Sequence, residues 1–178
     1  YSIVNYNFRA GTTSGLTTNG STTITPSSYS FSQTQRFSIV KYSGNGVDGA
    51  KVAHGLGVAP DYIIVKRTDD SGTWSVFHAD AGPGKYLNMN EGDAIQTGTN
   101  RWGDVVPDSV NFTIGDSAYV NDGSGTYIAY SFANNNGAVH VGSYVGNGNV
   151  DGPFLYTGFR PAFMWVKTAA SGWWFVLD

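Results

Sequence analysis

The sequence predicts an all-β fold, an antiparallel β-sandwich of jelly-roll or lectin-like form, on three observations. Helix-building residues are scarce: the 178 residues hold one Glu, five Leu and three Gln, which are among the residues that enter helices at least cost. Gly, Ser, Thr and Asn fill 71 positions, so turn-forming chain is abundant. β-Branched and aromatic residues take most apolar positions, which suits pleated, half-buried surface. Apolar runs of five to eight residues then recur between Gly, Asn and Asp turns, at the spacing of a sandwich or barrel.

The elements follow in chain order. YSIVNYNF (1–8) reads as a short strand. Residues 9–35 are the most polar stretch, rich in Ser, Thr and Gly, with STTIT and YSFS alternating well enough for edge strands. Residues 1–35 therefore read as an N-terminal strand plus a partly ordered segment, and 36–178 as the sandwich. Within it, strands are expected at 36–43, 61–68, 73–79, 85–90, 110–115, 126–132, 139–146, 154–159, 162–168 and 173–178. The connections at 69–72 and 169–172 suit tight hairpins. The run at 61–68 is apolar on both alternate faces, so it is expected to be a central strand covered on both sides, and the run at 162–168 likewise.

The strongest internal signal is a repeat. Tyr42-Ser43-Gly44-Asn45-Gly46 matches Tyr144-Val145-Gly146-Asn147-Gly148, and Val47-Asp48-Gly49 matches Val150-Asp151-Gly152 after one insertion. Pro60 and Lys66 match Pro161 and Lys167, and Ser71-Gly72, Trp74 and Val76 match Ser171-Gly172, Trp174 and Val176. Two related units are expected, at 36–80 and 138–178, with 80–138 as the tail of the first. The second unit's tail is then missing or supplied elsewhere. The start at Tyr1 rather than Met reads as a piece of something longer.

Composition sets aside several functions. A net charge of -3, with five Lys and five Arg dispersed, offers no basic stripe for a phosphate backbone, so no nucleic-acid partner is expected. No apolar run approaches the ~20 residues of a membrane span, and no membrane insertion is expected. The absence of Cys removes disulfides and thiolate sites. Gly44 to Gly49 fits G-x-G-x-x-G, but no helix can follow it to receive a pyrophosphate, so it reads as a hairpin turn. Asp48, Asp122 and Asp151 sit in Gly/Asn loops without a calcium-loop series, and they read as turn residues. The lone Glu91 gives little basis for a carboxylate pair with Asp93 or Asp104. His54, His78 and His140 are too dispersed for a local metal motif. No catalytic residue, metal or cofactor is expected.

Trp74 and Trp174 hold equivalent repeat positions and read as core, as does Trp165. Trp102 lies in an unrepeated polar loop with Arg101 and Asp104, where an exposed indole could stack on a sugar ring. A loop aromatic capping the sandwich end is the competing reading. Asn134 and Asn135, in a run of three asparagines, form a second polar loop. Arg101, Trp102, Asp104, Asn134 and Asn135 are the candidate ligand-binding residues.

FSIVKYSGNG, HGLGVAPDYIIVKR, KYLNMN, GTYIAYSFA and GSYVGNGNVDGPFLYTGFRPAFMWVK together resemble a domain of structural proteins of tailed bacteriophages, common in tail fibres and tail-associated proteins of marine and cyanobacterial phages. The resemblance runs from about Phe37 to the C-terminus. It implies a non-catalytic, oligomeric, extracellular virion component that contacts copies of itself, other virion proteins and a host-surface glycan. The alternative is a lectin-like carbohydrate-binding module of a larger extracellular protein.

Overall fold

The computed structural model describes residues 11–177. Its strands are β1 (Ser28–Ser32), β2 (Phe37–Ser43), β3 (Ala50–Ala53), β4 (Tyr62–Arg67), β5 (Ser75–His78), β6 (Lys85–Asn88), β7 (Gln96–Thr97), β8 (Asn111–Ile114), β9 (Thr126–Phe132), β10 (Met164–Val166) and β11 (Phe175–Leu177), with one short helix, α1 (Ala118–Asn121). Seven strands form an antiparallel sheet in the order β1-β2-β9-β4-β5-β6-β7, and β3-β8 and β10-β11 form two-stranded ribbons. The all-β antiparallel reading holds.

Alternation explains the layers. On β2, β4 and β9, the side chains of Val40, Tyr42, Ile63, Val65, Tyr127 and Ala129 point to one face and pack with Ala50, Val52, Phe112 and Ile114 of the β3-β8 ribbon. Ile24, Phe77, Trp102 and Val120 complete this main core. The sheet's other face carries Ile64, Val76 and Leu87, joined by half-buried Tyr62, Trp74, Tyr130, Phe132 and Trp174. β4 is therefore covered on both sides, as its apolar run predicts.

The Gly-Asn-Gly turn is built by a buried asparagine. Asn121 Oδ1 accepts from Asn45 N–H (2.8 Å) and Gly46 N–H (3.3 Å), while its Nδ2 donates to the Val47 (2.8 Å) and Gly115 (3.0 Å) carbonyls. Gly46 and Gly49 take positive φ, of 68° and 78°, and β3 rather than a helix follows them. Only glycine fits at Gly44, because an added Cβ would collide with the Asp122 carbonyl.

The larger differences from expectation fall at the two ends, and the middle adds short elements, β7 and α1 among them. YSIVNYNF lies outside the described residues. STTIT supplies a single parallel bridge, Ile24 to Val52, though Ile24 is buried. The expected strands at 139–146 and 154–159 are irregular chain, and 162–168 and 173–178 shorten to β10 and β11. No described residue after Ala133 is buried, so Trp165, at 41% exposure, is not the core residue its repeat position suggests. The cause is pairing: a strand needs a neighbour for its N–H and C=O groups, and among the described residues β10 pairs with β11 alone.

The β4-β5 and β10-β11 hairpins nevertheless share one register. Ile63, Ile64 and Val65 face Phe77, Val76 and Ser75, and Met164, Trp165 and Val166 face Leu177, Val176 and Phe175. Lys66 Nζ donates to the carbonyls of Arg67 and Asp70, and Lys167 Nζ to those of Thr168 and Ala170. Both lysines thus tie the loop of their own hairpin, and Gly72 and Gly172 have φ of 158° and 159°.

Candidate functional site

The five residues marked by the sequence fall into two separate groups. Arg101 and Trp102 are buried, Trp102 to 1% exposure. The indole meets Phe77 edge-on at 5.9 Å, so it presents no ring face to a ligand from solution. It caps the sandwich instead. Arg101 sits over the rings of Tyr119 (4.2 Å) and Tyr86 (4.9 Å) and donates to Ser117 Oγ at 2.8 Å. Burial lowers its pKa from the ordinary guanidinium value, while the ring faces stabilise the cation. Asp104 is exposed with φ 55°.

Asn134 and Asn135 serve the turn that leaves β9. The Asn134 N–H donates to Asp61 Oδ2 (2.7 Å), its Nδ2 donates to the Val141 carbonyl (3.2 Å), and its Oδ1 accepts from Val141 N–H (2.6 Å). Asn135 Nδ2 donates to the Thr34 carbonyl at 2.5 Å. These contacts fix where the chain turns onto the sheet's second face.

The other candidates have structural partners. Glu91 Oε2 accepts from Asn88 Nδ2 at 3.0 Å. Asp122 Oδ1 accepts from Ser124, and its Oδ2 lies 3.2 Å from Arg67 Nη1. Among the described residues, no three His, Cys, Asp or Glu side chains converge to hold a metal. His54 is fully buried: its Nδ1 accepts from Leu56 N–H (3.1 Å), which leaves Nε2 to donate to the Asp108 carbonyl (3.1 Å). Burial lowers its pKa to about 4, so it is neutral across the ordinary range.

The concave feature lies elsewhere. A groove of about 480 Å³ is lined by residues 138–144, 154–157, 159 and 161–166, together with Tyr62, His78 and Phe132 of the sheet. The Tyr62 hydroxyl is buried with no hydrogen-bond partner among the described residues, and burial pushes its pKa up. Of the residues lining the groove, Tyr144, Phe154, Tyr156 and Trp165 are exposed, Phe154 to 90%, and Trp173, beside Gly92, is exposed to 68%. The segment is anchored by Trp174, whose Nε1 donates to the Asn88 carbonyl at 3.0 Å. Ile95 N–H to the Ala169 carbonyl (2.8 Å) and Gly172 N–H to the Gly92 carbonyl (2.7 Å) complete the anchor.

Sequence reasoning passed over these exposed aromatics; for Trp165 the reason was its repeat position, which made it read as core.

No curated protein and no solved structure matches the chain. A family model does match, over residues 1–178, which takes in the sheet, both ribbons and the grooved aromatic segment; the chain belongs to the family of the domain of unknown function DUF7483.

Proposed function

We propose that the chain is a non-catalytic structural module of a tailed-bacteriophage appendage, a tail fibre or tail-associated protein, carried on the virion outside the cell. The observation that carries this reading is the number of large aromatic and aliphatic side chains exposed between residues 144 and 177. Exposed apolar surface on this scale marks an interaction surface, and its partners would be other virion proteins, further copies of the chain and a host-surface glycan. The phage-like motifs from Phe37 onward support the virion assignment.

A second reading has its own observation. Phe154, Tyr156 and Trp173 present rings to solvent, as a lectin-like module of a larger extracellular protein would for stacking on sugars. Immunogold labelling of phage particles encoded by the same genome distinguishes the two. Gold on the tails supports the virion role, and its absence from particles overturns it. Glycan arrays of bacterial surface polysaccharides then read the attachment role: signal lost in Trp173→Ala supports it, and no signal from the unmodified chain removes it.

A further inference from the structure

We infer that Asn147 is a site of spontaneous modification, at which the side-chain amide converts to aspartate and isoaspartate, and that Asn45 in the matching turn is protected. The chain has four Asn-Gly steps, at Asn19, Asn45, Asn136 and Asn147. At such a step the backbone nitrogen of the glycine, once deprotonated, attacks the asparagine Cγ. The N–Cγ bond forms, the amide nitrogen leaves as ammonia, and a cyclic imide results. Water then opens the ring at either carbonyl. One opening gives aspartate, and the other gives isoaspartate, whose main chain runs through the former side chain. Glycine favours the attack because no Cβ shields its nitrogen.

Asn45 and Asn147 form a matched pair. Both lie in Gly-Asn-Gly, and both are exposed. Asn45 Oδ1 accepts from Val47 N–H at 2.9 Å, and Asn147 Oδ1 from Asn149 N–H at 3.0 Å. Gly46 and Gly148 have φ of 68° and 67°. Sequence, exposure and local backbone therefore do not separate the two. The other steps lack this match: Asn19 Oδ1 also accepts from Asn111 Nδ2 at 3.1 Å, and Gly137, after Asn136, has φ 118°.

What separates them is Asn121. Its Oδ1 accepts from the N–H groups of both Asn45 and Gly46. Removing the Gly46 proton would leave a nitrogen anion facing that oxygen. Ring closure also rotates the Asn45 Cα–C bond, whose flanking N–H groups Asn121 holds. Gly123 packs close by, so that a Cβ on Gly46 would lie 3.5 Å from its nitrogen. Asn121 is itself fully buried, and it cannot yield without opening the core beside α1. The second turn has no such restraint. Nothing lies within 4 Å of a Cβ at Gly146, Gly148 or Gly152, and among the described residues Gly148 N–H has no hydrogen-bond partner.

The product places a negative charge between the exposed Val145 and Val150. Isoaspartate further lengthens the main chain leading to Phe154 by a methylene. The change accumulates with time and faster at alkaline pH, because the attacking nitrogen is deprotonated. It holds whatever residues 144–177 bind.

The full chain is aged in mildly alkaline buffer and cleaved after aromatic residues, and the peptides bearing Asn45 and Asn147 are followed by mass spectrometry. Both acid products are expected at Asn147, isoaspartate included. Their rate should exceed that at Asn45 by about tenfold or more, the factor for giving up the Asn121 hydrogen bonds. In denaturant, where Asn121 holds neither group, the two rates should converge. No acid at Asn147, aspartate without isoaspartate, or equal rates in the folded chain would overturn the proposal. A ratio that survives denaturation would make local sequence its cause and overturn the protection of Asn45.

Discussion

Asn121 is a single side chain on which the first Gly-Asn-Gly turn depends. Four hydrogen bonds to backbone groups converge on its buried amide, and removing it leaves the buried Gly115 carbonyl without this donor and the turn at residues 45–47 without its tie. Asn121→Ala is expected to lower stability by about 3 kcal/mol, since each buried group left unpaired costs ~1–3 kcal/mol; chemical denaturation midpoints measure this. His54 makes stability depend on pH. Its folded pKa is about 4 against ~6.5 in the unfolded chain, so the unfolded state binds the extra proton. The contribution is fully present above pH ~6.5 and is lost as pH falls toward 4, by up to about 3 kcal/mol. Unfolding curves at pH 7 and pH 4.5 should diverge for the unmodified chain, and the divergence should shrink in His54→Gln.

Among the elements, legibility followed the supply of partners. TYIAYSF was readable to the residue as β9, and the apolar run 61–68 was readable as a central strand, because both are paired on two edges and covered on two faces. β3, reading AKVA, was legible only as the short strand of the repeat between the Gly-Asn-Gly turn and Pro60, without bounds, because it carries few large residues. The runs at 139–146 and 154–159 have strand composition without a pairing neighbour among the described residues, and pattern alone cannot supply one. The candidate site was misplaced for a related reason: Trp102 looked exposed in a polar loop, yet Phe77 lies beneath it. Equivalent repeat positions, in turn, made Trp165 look buried. The β10-β11 ribbon is held to the sheet chiefly through Trp174 and two backbone hydrogen bonds. Trp174→Ala should therefore release residues 139–177 to limited proteolysis well before the sheet is cut. Equal cleavage rates in the variant and the unmodified chain would contradict that anchoring.

At the scale of the molecule, stability is unevenly distributed. Every member of the main core lies between Ile24 and Ala129, and no described residue past Ala133 is buried. A chain ending at Asn136 should keep a cooperative thermal transition by near-UV circular dichroism. It should also bind a hydrophobic dye more strongly, because Tyr62, Tyr130 and Phe132 lose their cover. Loss of cooperative melting would show instead that the C-terminal segment is integral to the sheet. The uneven burial also partitions the five tryptophans. Trp102 is sealed against Phe77, while Trp173 is 68% exposed. Ultraviolet emission from this protein should accordingly be a composite, with a blue component that iodide cannot quench and a red component that it removes. The protein thus carries an intrinsic optical label on its aromatic face, which reports occupancy there without any added fluorophore.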